Sequence, residues 1–226
     1  MTADRWITFD CFGTLVDWHT GFAAAIAPLA GSRTDDVLEA YHRVEPQLER
    51  EAPHRPYKDV LEDALLRAAE EVGVPLTGAQ ARLLPQWWAR MPVFDDVEPM
   101  LAELRDAGYR LGALTNCDED LFARTAQSFR KPFDLVITAE RVRDYKPSHT
   151  HFNFFWRSTG AAPEDWIHVA CSWFHDIAPA GELGIARVWI DRDRTGQDPA
   201  TATRRVETAR DVAPAIAELW GSVERA

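Results

Sequence analysis

From residue 94 onward, short apolar runs alternate with helix-spaced segments, and that rhythm leaves few folds open. Arg110 to Leu114, Phe133 to Thr138, Trp166 to Ala170 and Ala186 to Ile190 read as strands. Val97 to Ala107, Glu119 to Phe129, Ser148 to Thr159, Ile177 to Leu183 and Val212 to Leu219 read as helices. Gly108 stops the first of these, and Ser148 is the expected cap of the third. Trp6 to Phe9 adds an earlier apolar strand. Such alternation predicts an α/β protein with a parallel sheet covered by helices on both faces. The charged stretch Arg192 to Arg205 reads as a surface loop.

Residues 20 to 90 lack this rhythm. Phe22 to Leu29 is apolar and Ala-rich. Asp35 to Arg50 has helical spacing through Val37, Leu38, Tyr41, Val44 and Leu48, with Pro46 as a kink or break. Tyr57 to Val72 repeats the pattern, and Thr77 is an expected N-cap for Gly78 to Trp88. Together they predict an all-helical insertion of about four helices.

Composition excludes several classes of function. With 25 basic and 36 acidic residues the 226-residue chain carries a formal charge of −11, which argues against binding a phosphate backbone. No apolar run approaches the roughly 20 residues of a membrane span. The opening residues lack a signal-peptide pattern, and three widely spaced cysteines suggest no disulfide framework. The expected location is a reducing cytoplasm.

The polar residues of interest fall at the carboxyl ends of the strands, where open parallel sheets bind ligands. Asp10 follows the first strand and opens into Gly13-Thr14; Thr115-Asn116 follows the second. Tyr145-Lys146-Pro147 lies beyond the third, and Ser172 to Asp176 beyond the fourth. Each has a bland explanation alone, as a turn Asp, a cap or a surface Lys. Their joint occurrence in this order points to one active site.

These segments resemble the haloacid dehalogenase superfamily: Asp10-Cys11-Phe12-Gly13-Thr14-Leu15, Leu114-Thr115-Asn116, Lys146-Pro147, and Asp176 after Val169-Ala170. The resemblance spans nearly the whole length. It implies a Rossmann-like core over residues 1–18 and 92–226, with a helical cap over 19–91. Phosphatases of this superfamily carry a second Asp where Phe12 stands, as general acid and base. They also carry an acid where Ser172 stands, and fewer acids weaken a magnesium site. Thr8 through Trp18 is most similar to the 2-haloacid dehalogenase (type II) branch, which needs no metal. The implied cofactor is therefore none, with Mg²⁺ only if the chain is a phosphatase or phosphonatase. A non-catalytic scaffold is the third reading, disfavoured because the four main motif residues are all present.

The resemblance implies that Asp10 attacks the carbon bearing the leaving group of a small 2-substituted carboxylic acid, and that water then opens the resulting ester. Thr14 would orient Asp10, Lys146 would keep it ionised, and Asp176 would position or deprotonate the water. Thr115 and Asn116 would bind the substrate carboxylate or halide; Cys11, Phe12, Ser172, Trp173 and His175 would line the substrate. The branch uses a cap Arg at the halide, for which Arg43 is the candidate and Arg55 the reserve. The chain departs from the branch at Trp173, where an Asn is usual, and at Phe152, where a Tyr is usual. Those departures leave the substrate open, including a non-halogenated acid such as azetidine-2-carboxylate. A homodimer is the expected assembly.

Other residues have competing explanations. His175 or His19 could move protons near neutral pH, or be structural. Cys11, Cys117 and Cys171 each adjoin a motif, but buried free cysteine commonly packs as a small apolar group, so zinc is disfavoured. Trp18, Trp87, Trp88, Phe12 and Trp173 could wall the site, with core packing the equal alternative for Trp87 and Trp88.

Overall fold

The computed structural model describes residues 4–223. Its centre is a six-stranded sheet, every neighbouring pair parallel, in the order β3-β2-β1-β4-β5-β6. The strands are β1 (Trp6–Phe9), β2 (Arg110–Thr115), β3 (Leu135–Thr138), β4 (Trp166–Ala170), β5 (Ala186–Ile190) and β6 (Arg204–Val206). β1 and β4 are buried along their whole length, as apolar strands covered on both faces must be. The chain moves one way from β1 to β2 and β3, then returns to place β4 on the other side of β1. The order therefore reverses between β1 and β4, and the crevice beyond their carboxyl ends is the place for a ligand.

Between β1 and β2 lie the helices α1 (Trp18–Ala30), α2 (Thr34–Glu49), α3 (Tyr57–Glu71), α4 (Gly78–Ala81) and α5 (Leu83–Trp87). No strand interrupts them, as the sequence predicts, but the last expected helix is broken at Arg82. Thr77 does cap α4, in a capping box with Gln80. Pro46 does not end α2, which continues to Glu49. Along α2, Val37, Leu38, Tyr41 and Leu48 are buried against its neighbours.

The remaining helices are α6 (Val97–Asp106), α7 (Glu119–Thr125), α8 (Ala139–Val142), α9 (Thr150–Thr159), α10 (Ala178–Glu182) and α11 (Val212–Val223). Two details differ from expectation. Helix α9 begins at Thr150, with His149 rather than Ser148 at the cap position; the Ser148 hydroxyl donates to Asp144 and accepts from the Thr150 amide at 3.3 Å. β6 forms within the stretch expected to be loop, pairing with β5 at the sheet edge. Among the described residues no helix is long and apolar enough to cross a membrane.

Candidate active site

Asp10 lies one residue past β1, its amide bonded to Val169 O at 3.0 Å. The chain then turns through Gly13, whose φ of +92° favours glycine. A Cβ there would sit 2.8 Å from Cys171 Sγ, so this close approach also needs glycine. The turn brings Thr14 back onto Asp10: its hydroxyl donates to Oδ2 at 2.7 Å and accepts from the Cys171 amide at 2.9 Å. Outside the turn, Arg192 grips Asp96 through two bonds of 2.9 Å and donates to Thr14 O.

Lys146 crosses beneath Asp10 and is 1% exposed. Its ammonium has three hydrogens and three acceptors: Asp10 Oδ1 at 2.9 Å, Asp176 Oδ1 at 2.6 Å and Leu114 O at 2.9 Å. Asn116 fixes the lysine backbone, accepting from its amide at 2.8 Å and donating to its carbonyl at 3.0 Å. Burial raises the Asp10 carboxyl above its ordinary value, while Lys146 and Thr14 limit the rise. Burial also disfavours charge on Asp176, but Lys146 and His168 outweigh it and hold this carboxyl at about 2. Lys146 itself is raised, the two carboxylates overcoming its burial.

His168 carries no site signal of its own in the sequence. It is fully buried on β4, with Nε2 3.0 Å from Asp176 Oδ1 and Nδ1 2.8 Å from Thr8 Oγ1. Trp166 Nε1 can only donate to Thr8 Oγ1, which frees the Thr8 hydroxyl hydrogen for Nδ1. These partners place a proton on His168 Nε2, which donates to Asp176, and leave Nδ1 to accept from Thr8. Asp176 Oδ1 is thereby held from two sides, whereas its Oδ2 is buried with no partner. Thr8 and His168 stand opposite one another in the β1–β4 register. Two polar residues at one level of two buried strands are the signal that could have found them. Phe152 packs edge-on against His168, at 5.1 Å between ring centroids.

Above Asp10 opens a cavity of about 390 Å³, a size that suits a small organic ligand. Asp10, Phe12, Thr115, Asn116, Lys146, Ser172, Trp173, His175 and Asp176 all line it. So do Trp18 and Trp88, but not Trp87, which stacks under Arg90. A depression of about 450 Å³ at the other end of the sheet contains none of these groups.

Five expectations need correction. Arg43 points away from the cavity, paired with Glu39 and Glu71 on the outer face of α2. Arg55 is likewise paired with Asp63. Helical spacing explains the error: His42, Glu45 and Glu49 share the inward face, and Arg43 is off that face. Cys11 is fully buried outside the cavity lining, packed in the core. Burial raises all three cysteine thiols, Cys171 to about 12, so none is a thiolate at neutral pH. His175 does not titrate near neutrality, because burial lowers it to about 4. His19 is exposed and outside the cavity.

Glu45 and Glu49, like Thr8 and His168, are residues that sequence reasoning missed. Glu49 accepts from Asn116 Nδ2 at 3.2 Å and lies 3.7 Å from His175 Nε2. Glu45 accepts from the Tyr57 hydroxyl. Burial raises Glu49 well above its ordinary value, and the neighbouring Glu45 adds to the rise. The folded state thus favours protonated Glu49. That stabilisation is complete below the unfolded value near 4.5 and is lost as pH rises through the folded one. Glu49→Gln is therefore expected to raise the melting temperature at pH 8 by about 3 °C or more, a gain that disappears by pH 4. Melting curves at the two pH values test this, and a gain independent of pH contradicts it.

A family model described as haloacid dehalogenase-like hydrolase matches residues 5–178. The chain is 25% identical over 225 residues to the (S)-2-haloacid dehalogenase of Pseudomonas sp. strain YL, covering 94% of this chain and 97% of that one. It is 32% identical over 126 residues to the phosphoserine phosphatase of Thermus thermophilus, covering 54% of this chain and only 51% of that enzyme. The fold matches a solved L-2-haloacid dehalogenase with a TM-score of 0.84 at 24% identity, covering 95% of this chain and 99% of that one.

Proposed function

This chain belongs to the haloacid dehalogenase-like hydrolases, and on that premise we propose that it displaces the leaving group of a small 2-substituted carboxylic acid through an Asp10 ester. One observation carries this reading. Asp10 is 6% exposed at the cavity floor, with Oδ2 fixed by Thr14 and Oδ1 by Lys146, so it meets substrate in one orientation. Asp10 forms a bond to the substrate carbon as the leaving group departs with its electron pair. Water, held by Asp176 Oδ2, then attacks the Asp10 carboxyl carbon; one of its hydrogens passes to the departing alkoxide oxygen, which leaves as the hydroxy acid, and the regenerated Asp10 carboxyl gives the other up to solvent. A halide leaves without a proton, so Phe12 in the place of an acid is no handicap to that chemistry.

Magnesium-dependent phosphate chemistry fits the donor set poorly. Mg²⁺ wants near-octahedral hard oxygen ligands. Here one oxygen of each of Asp10 and Asp176 is bound to Lys146, Phe12 offers no side-chain oxygen, and the Ser172 hydroxyl is engaged with His175. Among the described residues no group of three or more His, Cys, Asp or Glu is arranged to hold a metal ion. No step is therefore routed through a metal, and the proposed enzyme needs no cofactor.

The test is halide release from chloro-, bromo- and fluoroacids with chelator present, followed by one turnover in heavy-oxygen water. The expected result is label on Asp10, read by peptide mass spectrometry. Label appearing directly in the product of that first turnover sinks the ester mechanism. Hydrolysis of a non-halogenated acid, with label on Asp10, keeps the mechanism and changes the substrate.

A further inference from the structure

The charge in the cavity runs opposite to that of a carboxylate subsite. Among the described residues no arginine lines it, and its only lysine has all three hydrogens engaged. Arg50 lies at the rim, over the ring of the lining residue Phe174, and its charge and that of Lys146 oppose but do not cancel the rise of Glu49. Burial holds the lining histidines His42 and His175 below their ordinary values, so they are neutral at pH 7. Facing them from the last turns of α2 are two carboxyls, Glu45 and the nine-tenths-buried Glu49, with no cation paired to either inside the cavity. Asp176 Oδ2 is a further fully buried acceptor without a partner in the same cavity.

The walls are suited to the same ligand. Phe12 and Trp88 meet at 4.6 Å with their planes tilted, Trp88 meets Tyr57 edge-on at 5.9 Å, and the Tyr57 hydroxyl donates to Glu45, so these rings line the same cavity as the two glutamates. Aromatic rings attract cations, most strongly where water is excluded. Charge on a buried carboxyl such as Glu49, which Lys146 and Arg50 only partly offset, costs stability, and a cation bound beside it relieves that cost.

We propose that Glu45 and Glu49 form an ammonium subsite, so that the acid this enzyme hydrolyses carries a basic nitrogen as well as its leaving group. The substrate assignment rests on the Asp10 reading above, whereas the subsite can be tested without it. The probe is n-propylammonium, with propionate as the anionic control at equal ionic strength and pH 8. Binding is measured by calorimetry and by the shift in melting temperature.

Propylammonium is expected to bind the wild-type enzyme and raise its melting temperature, and propionate to bind at least fivefold more weakly. Glu45→Gln and Glu49→Gln should each weaken propylammonium at least fivefold, while Asp10→Asn retains it. Near-UV circular dichroism checks each variant, and Glu49→Gln decides if Glu45→Gln loses its fold. Preference for propionate, or equal propylammonium binding by wild type and Glu49→Gln, overturns the subsite. A kinetic arm compares 2-chloro acids with and without a terminal amine. A preference of tenfold or more for the amine, lost in Glu49→Gln, is expected, and no preference overturns the substrate assignment. Propylammonium binding without label on Asp10 in heavy-oxygen water means that the ester reading has failed and the subsite stands.

Discussion

Lys146→Met is expected to cost at least about 10³-fold in turnover and about 3–5 kcal/mol in stability at pH 8, the cost of breaking a buried ion pair. Lys146 is the shared cation of Asp10 and Asp176, and both carboxylates lie within 2.9 Å of its nitrogen. Methionine fills the same space but leaves two buried carboxylates facing each other. Each then favours its protonated form, so Asp10 loses nucleophilicity together with its alignment. The sign with pH follows from that. In the wild type, Asp176 is depressed to about 2, so its stabilisation is present above the unfolded value near 3.8 and fades as pH falls towards 2. In the variant that depression is removed, and proton uptake relieves the repulsion. The stability gap between the two proteins should therefore be largest at pH 8 and narrow towards pH 4. Urea unfolding across this range measures it. Adding Asp176→Asn to Lys146→Met should recover stability but not turnover. A constant gap across pH would mean that the lysine acts by packing alone.

What the sequence makes legible follows from where its signals are strong. β4 and β5 can be placed residue for residue, because each is a short, mostly apolar run between polar turns, broken only by His168 in β4 and Arg187 in β5. Asp10, Thr115 and Asp176 can be placed at one sheet edge, because each follows a strand that the alternation identifies. β6 cannot, since Arg204 and Arg205 are exposed at an edge, where charged residues are common and no apolar run marks the strand. Arg43 misleads because residue type alone recommends it, while the helix places Glu45 and Glu49 on the cavity face. His168 is hidden inside an apolar run: its importance comes from Asp176, which returns to it only after the chain has turned beyond β4. Local pattern thus locates the scaffold and the nucleophile. Side chains that set charge in the cavity come from a helix face whose orientation only packing decides.

Asp176→Asn should separate the two half-reactions. The ordinary argument for an acidic residue near a nucleophile is that it removes a proton from water. A carboxyl held at about 2 is a weak base, so the role of Asp176 is to orient the water. Its geometry suits that role. Lys146 and His168 fix Oδ1, which sets the direction of Oδ2, the oxygen free to accept from water. Asparagine can keep Oδ1 on both donors and turn its NH₂ towards the cavity, which replaces the acceptor with a donor. Attack by Asp10 needs neither oxygen of residue 176, so the ester should still form. The expected outcome is a burst of one equivalent of leaving group per active site, then steady turnover reduced by about 10³-fold or more, in the range of a lost preorganised contact. The peptide containing Asp10 should gain the mass of the carboxyalkyl portion of the substrate, the part left when the leaving group departs. If no burst and no adduct appear while the variant remains folded, Asp176 acts before the ester forms, through Lys146 and the alignment of Asp10. A steady rate matching that of the wild type would instead remove Asp176 from the reaction and leave the hydrolytic water to be held by Glu49 or His175 across the cavity.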